Sequence, residues 1–129
     1  MRKRRHIITD AINQAVAKAS KPFLDGVSEM LGHDFTAEER LTLCGELEAF
    51  MVMTIFLMRE IPAGDREGNE VVDEALGMTS PVLAKAVLDV AGDARDAADE
   101  ELARHIHAFF TLAAMTMMAL DRGKRLEEE

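Results

Sequence analysis

Apolar side chains recur along most of the chain at spacings of three and four residues, the repeat of a helix, and no stretch alternates in the manner of a strand. Ile8, Ala11, Ile12, Ala15 and Ala19 form one stripe of a first helix. Pro22 should end or kink it, because its ring removes a donor and crowds the preceding turn. Phe23, Leu24, Val27, Met30 and Leu31 then predict a short second helix, with Gly32 placed as its C-terminal cap. The clearest start follows: Thr36 with Glu39 three residues on reads as a capping box, flanked by Phe35 and Arg40 at the staple positions. That third helix runs to about Arg59. The segment IPAGDREGN, 61–69, predicts an exposed loop. Beyond it come a weak helical turn over 70–76 ended by Gly77, and a helix opened by Ser80 and Pro81 and closed by Gly92. The last helix begins within DARDAADEEL and reaches about Arg122, with Gly123 as its stop. The pattern predicts an all-α bundle of five or six helices with two central, strongly apolar ones, about 37–59 and 95–122.

Those two helices carry apolar groups beyond a single stripe. In the third, Leu43, Leu47, Phe50, Thr54 and Leu57 share one face, Cys44, Met51, Ile55 and Met58 the next, and Val52, Met53 and Phe56 the far side. In the last, Ile106, Phe109, Phe110, Ala113, Met117 and Leu120 form the main stripe, with Ala108, Leu112, Met115 and Met118 roughly opposite. A helix apolar all round is covered on more than one side. Either the shorter helices wrap both, or a second copy covers part of them. The narrow stripes of the other helices favour a second copy, and flexible methionines suit such a surface. Met51, Ile55, Met58, Met115 and Met118 are therefore the candidate interface or pocket positions, and a homo-oligomer, in the simplest case a dimer, is the expected state.

Composition narrows the class without naming an activity. A chain of 129 residues, 48% apolar and 30% charged, is long enough for one domain with a real core, expected over 1–129 with a basic arm at 1–5 and a frayed tail at 124–129. One cysteine, Cys44, excludes an internal disulfide and points to a reducing compartment. The longest uncharged run, 105–120, falls short of the ~20 residues a bilayer requires, and MRKRR leads into an amphipathic pattern rather than a leader core. A soluble cytoplasmic protein, with no membrane partner, is the expectation. Residues 60–101 hold twelve acids against three bases, the chain's whole net charge of −9, while Arg2, Lys3, Arg4 and Arg5 concentrate positive charge at the start. Such an arm can meet nucleic acid or an acidic partner segment, but the acidic remainder and the lack of tyrosine and tryptophan weigh against nucleic acid.

Candidate chemistry is sparse. Asp93, Asp96 and Asp99, and upstream Glu67, Glu70 and Asp73, repeat a three-residue spacing that could hold Mg²⁺ on a helix, as in all-helical nucleotide pyrophosphohydrolases. Acids at a helix start also cap its free amides, which explains the first set without a metal. Glu101 and His105 stand four apart on one face and complete the metal candidates. Cys44 sits mid-helix without a cationic neighbour, the serines lie outside nucleophile motifs, and no phosphate loop or cofactor fingerprint is present. The expected function is that of a self-associating interaction module, a regulator, adaptor or inhibitor of another protein. A small-ligand protein with a Met/Phe-lined pocket is the alternative, and a nucleic-acid-associated regulator or Mg²⁺-dependent nucleotide hydrolase are more distant ones.

Overall fold

The computed structural model describes residues 2–62, 64 and 67–128, with the side chains of 2–9, 68, 69, 121 and 123–128 left undescribed. Within these residues the protein is all-helical: α1 Arg2–Leu31, α2 Ala37–Glu60, α3 Gly68–Ala91 and α4 Glu100–Glu128. Each helix packs on the next, and α4 returns to α1, so the four form a ring with α1 opposite α3 and α2 opposite α4. The short links make neighbours antiparallel.

Four helices replace the expected five or six because both prolines lie inside helices. Pro22 is within α1 and Pro81 within α3. Each removes one rung and costs a helix interior about 3 kcal/mol. Apolar burial one residue or two further on outweighs that cost: Phe23 and Leu24 in α1, Leu83 and Ala84 in α3, are all at most 4% exposed, and a fully buried large side chain contributes about 1.5–3 kcal/mol. Ser80 is consequently no cap; its hydroxyl is buried mid-helix and unpartnered. Gly77 and Gly123, expected stops, are also helical. The backbone of the basic arm, from Arg2, continues α1.

Where glycine ends a helix, the geometry needs it. Gly32 and Gly92 take φ of 64° and 68°, the left-handed region. Both ends are closed alike, by His33 N–H donating to the Ser28 carbonyl (3.1 Å) and Asp93 N–H to the Leu88 carbonyl (3.0 Å). The α2 start is the predicted capping box: Glu39 N–H donates to Thr36 Oγ1 (3.1 Å) and Thr36 N–H to Glu39 Oε1 (2.9 Å). Arg40 cannot staple to Phe35 and instead donates from Nη2 to Asp25 Oδ1 of α1 (3.0 Å).

The core lies between the four helices. Ala15, Val16, Ala19 and Val27 of α1 meet Leu43, Leu47 and Met51 of α2, Leu76 and Val87 of α3, and Leu102, Ile106 and Ala113 of α4. Its burial pattern repeats. Positions in α1 recur sixty residues later in α3, with Ala15 and Ala75, Ser20 and Ser80, Val27 and Val87, Gly32 and Gly92 identical. Positions in α2 recur fifty-nine residues later in α4, pairing Leu43 with Leu102, Leu47 with Ile106, and Phe50 with Phe109. The protein is thus two similar helical hairpins, α1–α2 and α3–α4.

The capping box makes two predictions. Thr36→Ala should lower stability to denaturant by about 1 kcal/mol with an unchanged m-value. The Thr36 N–H, with the His33 ring 3.3 Å away, holds the Glu39 carboxyl below its ordinary range. A depressed folded-state pKa gives stability that is present above the unfolded value and lost as pH falls through the folded one. Wild-type protein should therefore lose more stability than Glu39→Gln between about pH 5 and pH 3 in acid-titrated urea unfolding.

Candidate interaction surface

Helices α2 and α4 sit at opposite corners of the bundle, not at a shared centre. Each therefore buries only one side. In α2 the buried residues are Leu43, Leu47, Phe50, Met51 and Thr54. In α4 they are Leu102, Ile106, Phe109, Phe110 and Ala113. The two helices meet across the bundle through rings: Phe50 and Phe109 have centroids 6.1 Å apart, Phe50 and Phe110 6.3 Å, edge-on. Their other sides, where the sequence is equally apolar, face outward. Val52, Met53 and Phe56 of α2 are 53%, 46% and 60% exposed, and Met115 and Met118 of α4 58% and 54%. Met78 and Val82 of α3 add to the same outer surface as Met53, since Val82 and Met53 line one crevice between α2 and α3.

That crevice has a counterpart. Between α2 and α3 it is lined by Glu46, Ala49, Phe50, Met53, Thr79, Val82 and Leu83. Between α1 and α4 it is lined by His105, Ala108, Phe109, Leu112, Ala19, Pro22 and Phe23, each the corresponding residue of the other hairpin. The first holds about 30 Å³ and the second about 120 Å³. Pockets for drug-sized ligands are about 300–1,000 Å³, so neither crevice admits one as it stands. A third depression, about 400 Å³ and widely open, lies along one side of α4 at Glu100, Ala103, Arg104 and His107.

The seams behind the crevices are built differently. Between α2 and α3, the fully buried hydroxyls of Thr54 and Thr79 lie 3.0 Å apart, and each also reaches the carbonyl four residues back in its own helix, Phe50 at 2.7 Å and Ala75 at 3.1 Å. The corresponding pair between α1 and α4 is Ala113 and Ala19, both wholly buried. Gly26 of α1 adds a close approach there. A Cβ at Gly26 would stand 3.1 Å from Cε1 and Nδ1 of His105.

The sequence candidates separate cleanly on this frame. Met51 is fully buried inside one chain and offers no surface to a second copy. Ile55 and Met58 are half-buried against the core, whereas Met115 and Met118 are exposed. Asp93, Asp96 and Asp99 do not line a helix face, because α4 starts after them. Each instead accepts a nearby backbone N–H: Arg95 at 2.9 Å, Ala98 at 2.8 Å and Leu102 at 3.0 Å. Glu101 is exposed, while His105 turns its ring toward Gly26 on α1. Among the described residues no three acidic, histidine or cysteine side chains converge as metal ligands. Cys44 is a free, half-buried thiol. The side chains of Arg2, Lys3, Arg4 and Arg5 lie outside the described residues, as do Asp65 and Arg66 of the predicted loop. Among the described residues α2 alone is long and apolar enough to cross a membrane by length and composition; in the bundle it buries one face in the core.

Met78 and Val82 escape the sequence reading because they fall on either side of Ser80-Pro81, a pair that signals a helix start. Compared with protein-family models, curated proteins and solved structures, the chain finds no match.

The threonine seam is testable in a double-mutant cycle. Thr54→Val and Thr79→Val should each cost about 1 kcal/mol in urea unfolding, with the double variant costing less than the two together. Full additivity would show that the two hydroxyls are not coupled.

Proposed function

We propose that the protein is a small self-associating helical interaction module, a regulator, adaptor or inhibitor that works by docking on protein surfaces in a reducing, cytoplasmic setting. One observation carries this reading. A chain with a full core of its own still presents Val52, Met53, Phe56, Met78 and Val82 on one side and Leu112, Met115 and Met118 on another, each more than a third exposed. Single exposed apolar residues need no explanation, but large side chains grouped across two adjacent helices mark an interaction site. They contribute nothing further to the fold, and in water they carry a solubility cost.

Their chemistry suits a protein partner. Methionine supplies four of these eight side chains and phenylalanine one, and both types are enriched at protein interfaces. The narrow crevices would seat single side chains of a partner rather than a metabolite. The free thiol of Cys44 accords with a reducing compartment.

Light scattering behind size exclusion tests the reading directly. We expect a mass above the 14.3 kDa of one chain. Phe56→Asp should lower that mass while leaving helical circular dichroism intact, because the residue is exposed. Met51→Asp, which buries a charge, should collapse the fold instead. A wild-type mass of one chain at every concentration would overturn self-association.

A further inference from the structure

Methionine is placed mostly outward in this bundle. Of the eight methionines whose side chains are described, Met51 alone is fully buried, while Met30, Met58 and Met117 are half-buried. Met53, Met78, Met115 and Met118 stand in solvent, four of the nine large apolar side chains that do so among the described residues. Met53 and Met78 share the outer side of α2 and α3, and Met115 and Met118 lie three apart on the outer side of α4. The core does not require methionine at these places, since the matching positions of the other hairpin hold Leu112, Lys18, Phe56 and Arg59. What methionine adds to an apolar surface, and leucine or phenylalanine does not, is a sulfur open to dissolved oxidants. Oxidation follows access, so Met51 is shielded and these four are not.

We infer that the thioethers of Met53, Met78, Met115 and Met118 form a modification site at which peroxide oxidation switches self-association off. This rests on the self-association proposed above and adds its regulation. The lone pair of each sulfur attacks one oxygen of a hydrogen peroxide molecule. An S–O bond forms, the O–O bond breaks and water leaves, so the sulfur is oxidised and the peroxide reduced. The product is a sulfoxide, a polar and chiral side chain in place of an apolar one. Its oxygen stays hydrated on a free surface, and the core beneath is untouched. Inside an apolar contact the same oxygen loses its water without gaining a donor, which disfavours docking. Methionine sulfoxide reductases return the thioether, one enzyme for each sulfoxide epimer, so the switch is reversible.

Two proteins test the switch, both carrying Cys44→Ala to remove thiol chemistry. The second also carries Met53→Leu, Met78→Leu, Met115→Leu and Met118→Leu, which keep the surface apolar and alter only exposed sites. Each is treated with hydrogen peroxide and followed by peptide mass spectrometry, circular dichroism and light scattering. In the first, the four methionines should gain one oxygen each while Met51 stays reduced and the helical signal is kept. Its mass should fall to the 14.3 kDa of one chain and recover after treatment with both reductases. The leucine protein should hold its larger mass throughout, although it shares every other methionine. The switch is overturned, and self-association survives, if the four stay reduced, if Met51 oxidises in step with them, or if helical signal is lost. The same holds if the four sulfoxides leave the mass unchanged, if the reductases do not restore it, or if the leucine protein dissociates equally. A mass of one chain before any peroxide overturns both.

Discussion

The contact between Phe50 and Phe109 organises this protein. The two residues occupy the same position in the two hairpins, fifty-nine residues apart, and their rings meet across the middle of the bundle. Phe23 of α1 packs on Phe109 at 5.4 Å and Phe110 on Phe50 at 6.3 Å, so the cluster touches three of the four helices. A helical hairpin of this length has one apolar side and cannot bury it alone. Closing it on a second, similar hairpin covers both, and large rings where the two halves face each other fill the space that opposed helices leave.

Once the halves are set by those rings, the remaining seams can differ. One seam uses Ala19 and Ala113, the other Thr79 and Thr54. Alanine allows close approach without polar demands. Threonine at the same depth needs a partner for its hydroxyl, and finds it in its opposite number and in carbonyls of its own helix. The Thr–Thr link fixes α2 against α3 directionally, where dispersion alone fixes α1 against α4. Gly26 then lets the His105 ring lie on α1, while at the matching place the α2/α3 seam has Ala86 and Glu46.

Much of this was legible in the residues, and the failures have specific causes. The α2 start was readable because Thr36 and Glu39 form a short-range device that needs nothing from the rest of the fold. The division of α2 into a face with Leu43, Leu47, Phe50 and Thr54 and a far side with Val52, Met53 and Phe56 followed from helical geometry alone. Pro22 and Pro81 misled because a local rule met a larger tertiary term: the stripes run through both prolines without a change of phase. Counting two helices in place of one left too few partners for α2 and α4, which made them look central. The repeat itself was obscured because its conserved feature is burial and not identity, Phe23 matching Leu83 and Met51 matching Phe110.

The uneven division of labour among the helices bears most directly on function. By the core's geometry all four helices are equivalent pairs, so each could have carried a charged outer surface. Helix α1 does so near Lys18 and Lys21, yet its counterpart α3 places Met78 and Pro81 there. Likewise Arg104 of α4 stands where α2 has Gly45. The core cannot account for these differences, because none of the six residues is buried in it. Nor does helix propensity account for them, since methionine and lysine are nearly equal in a helix and proline and glycine are the two poorest formers. The differences change the outer groups at single matched positions while both faces stay apolar along the crevice. On the proposal that the protein is an interaction module, such outer differences are where one docking surface would be told from another.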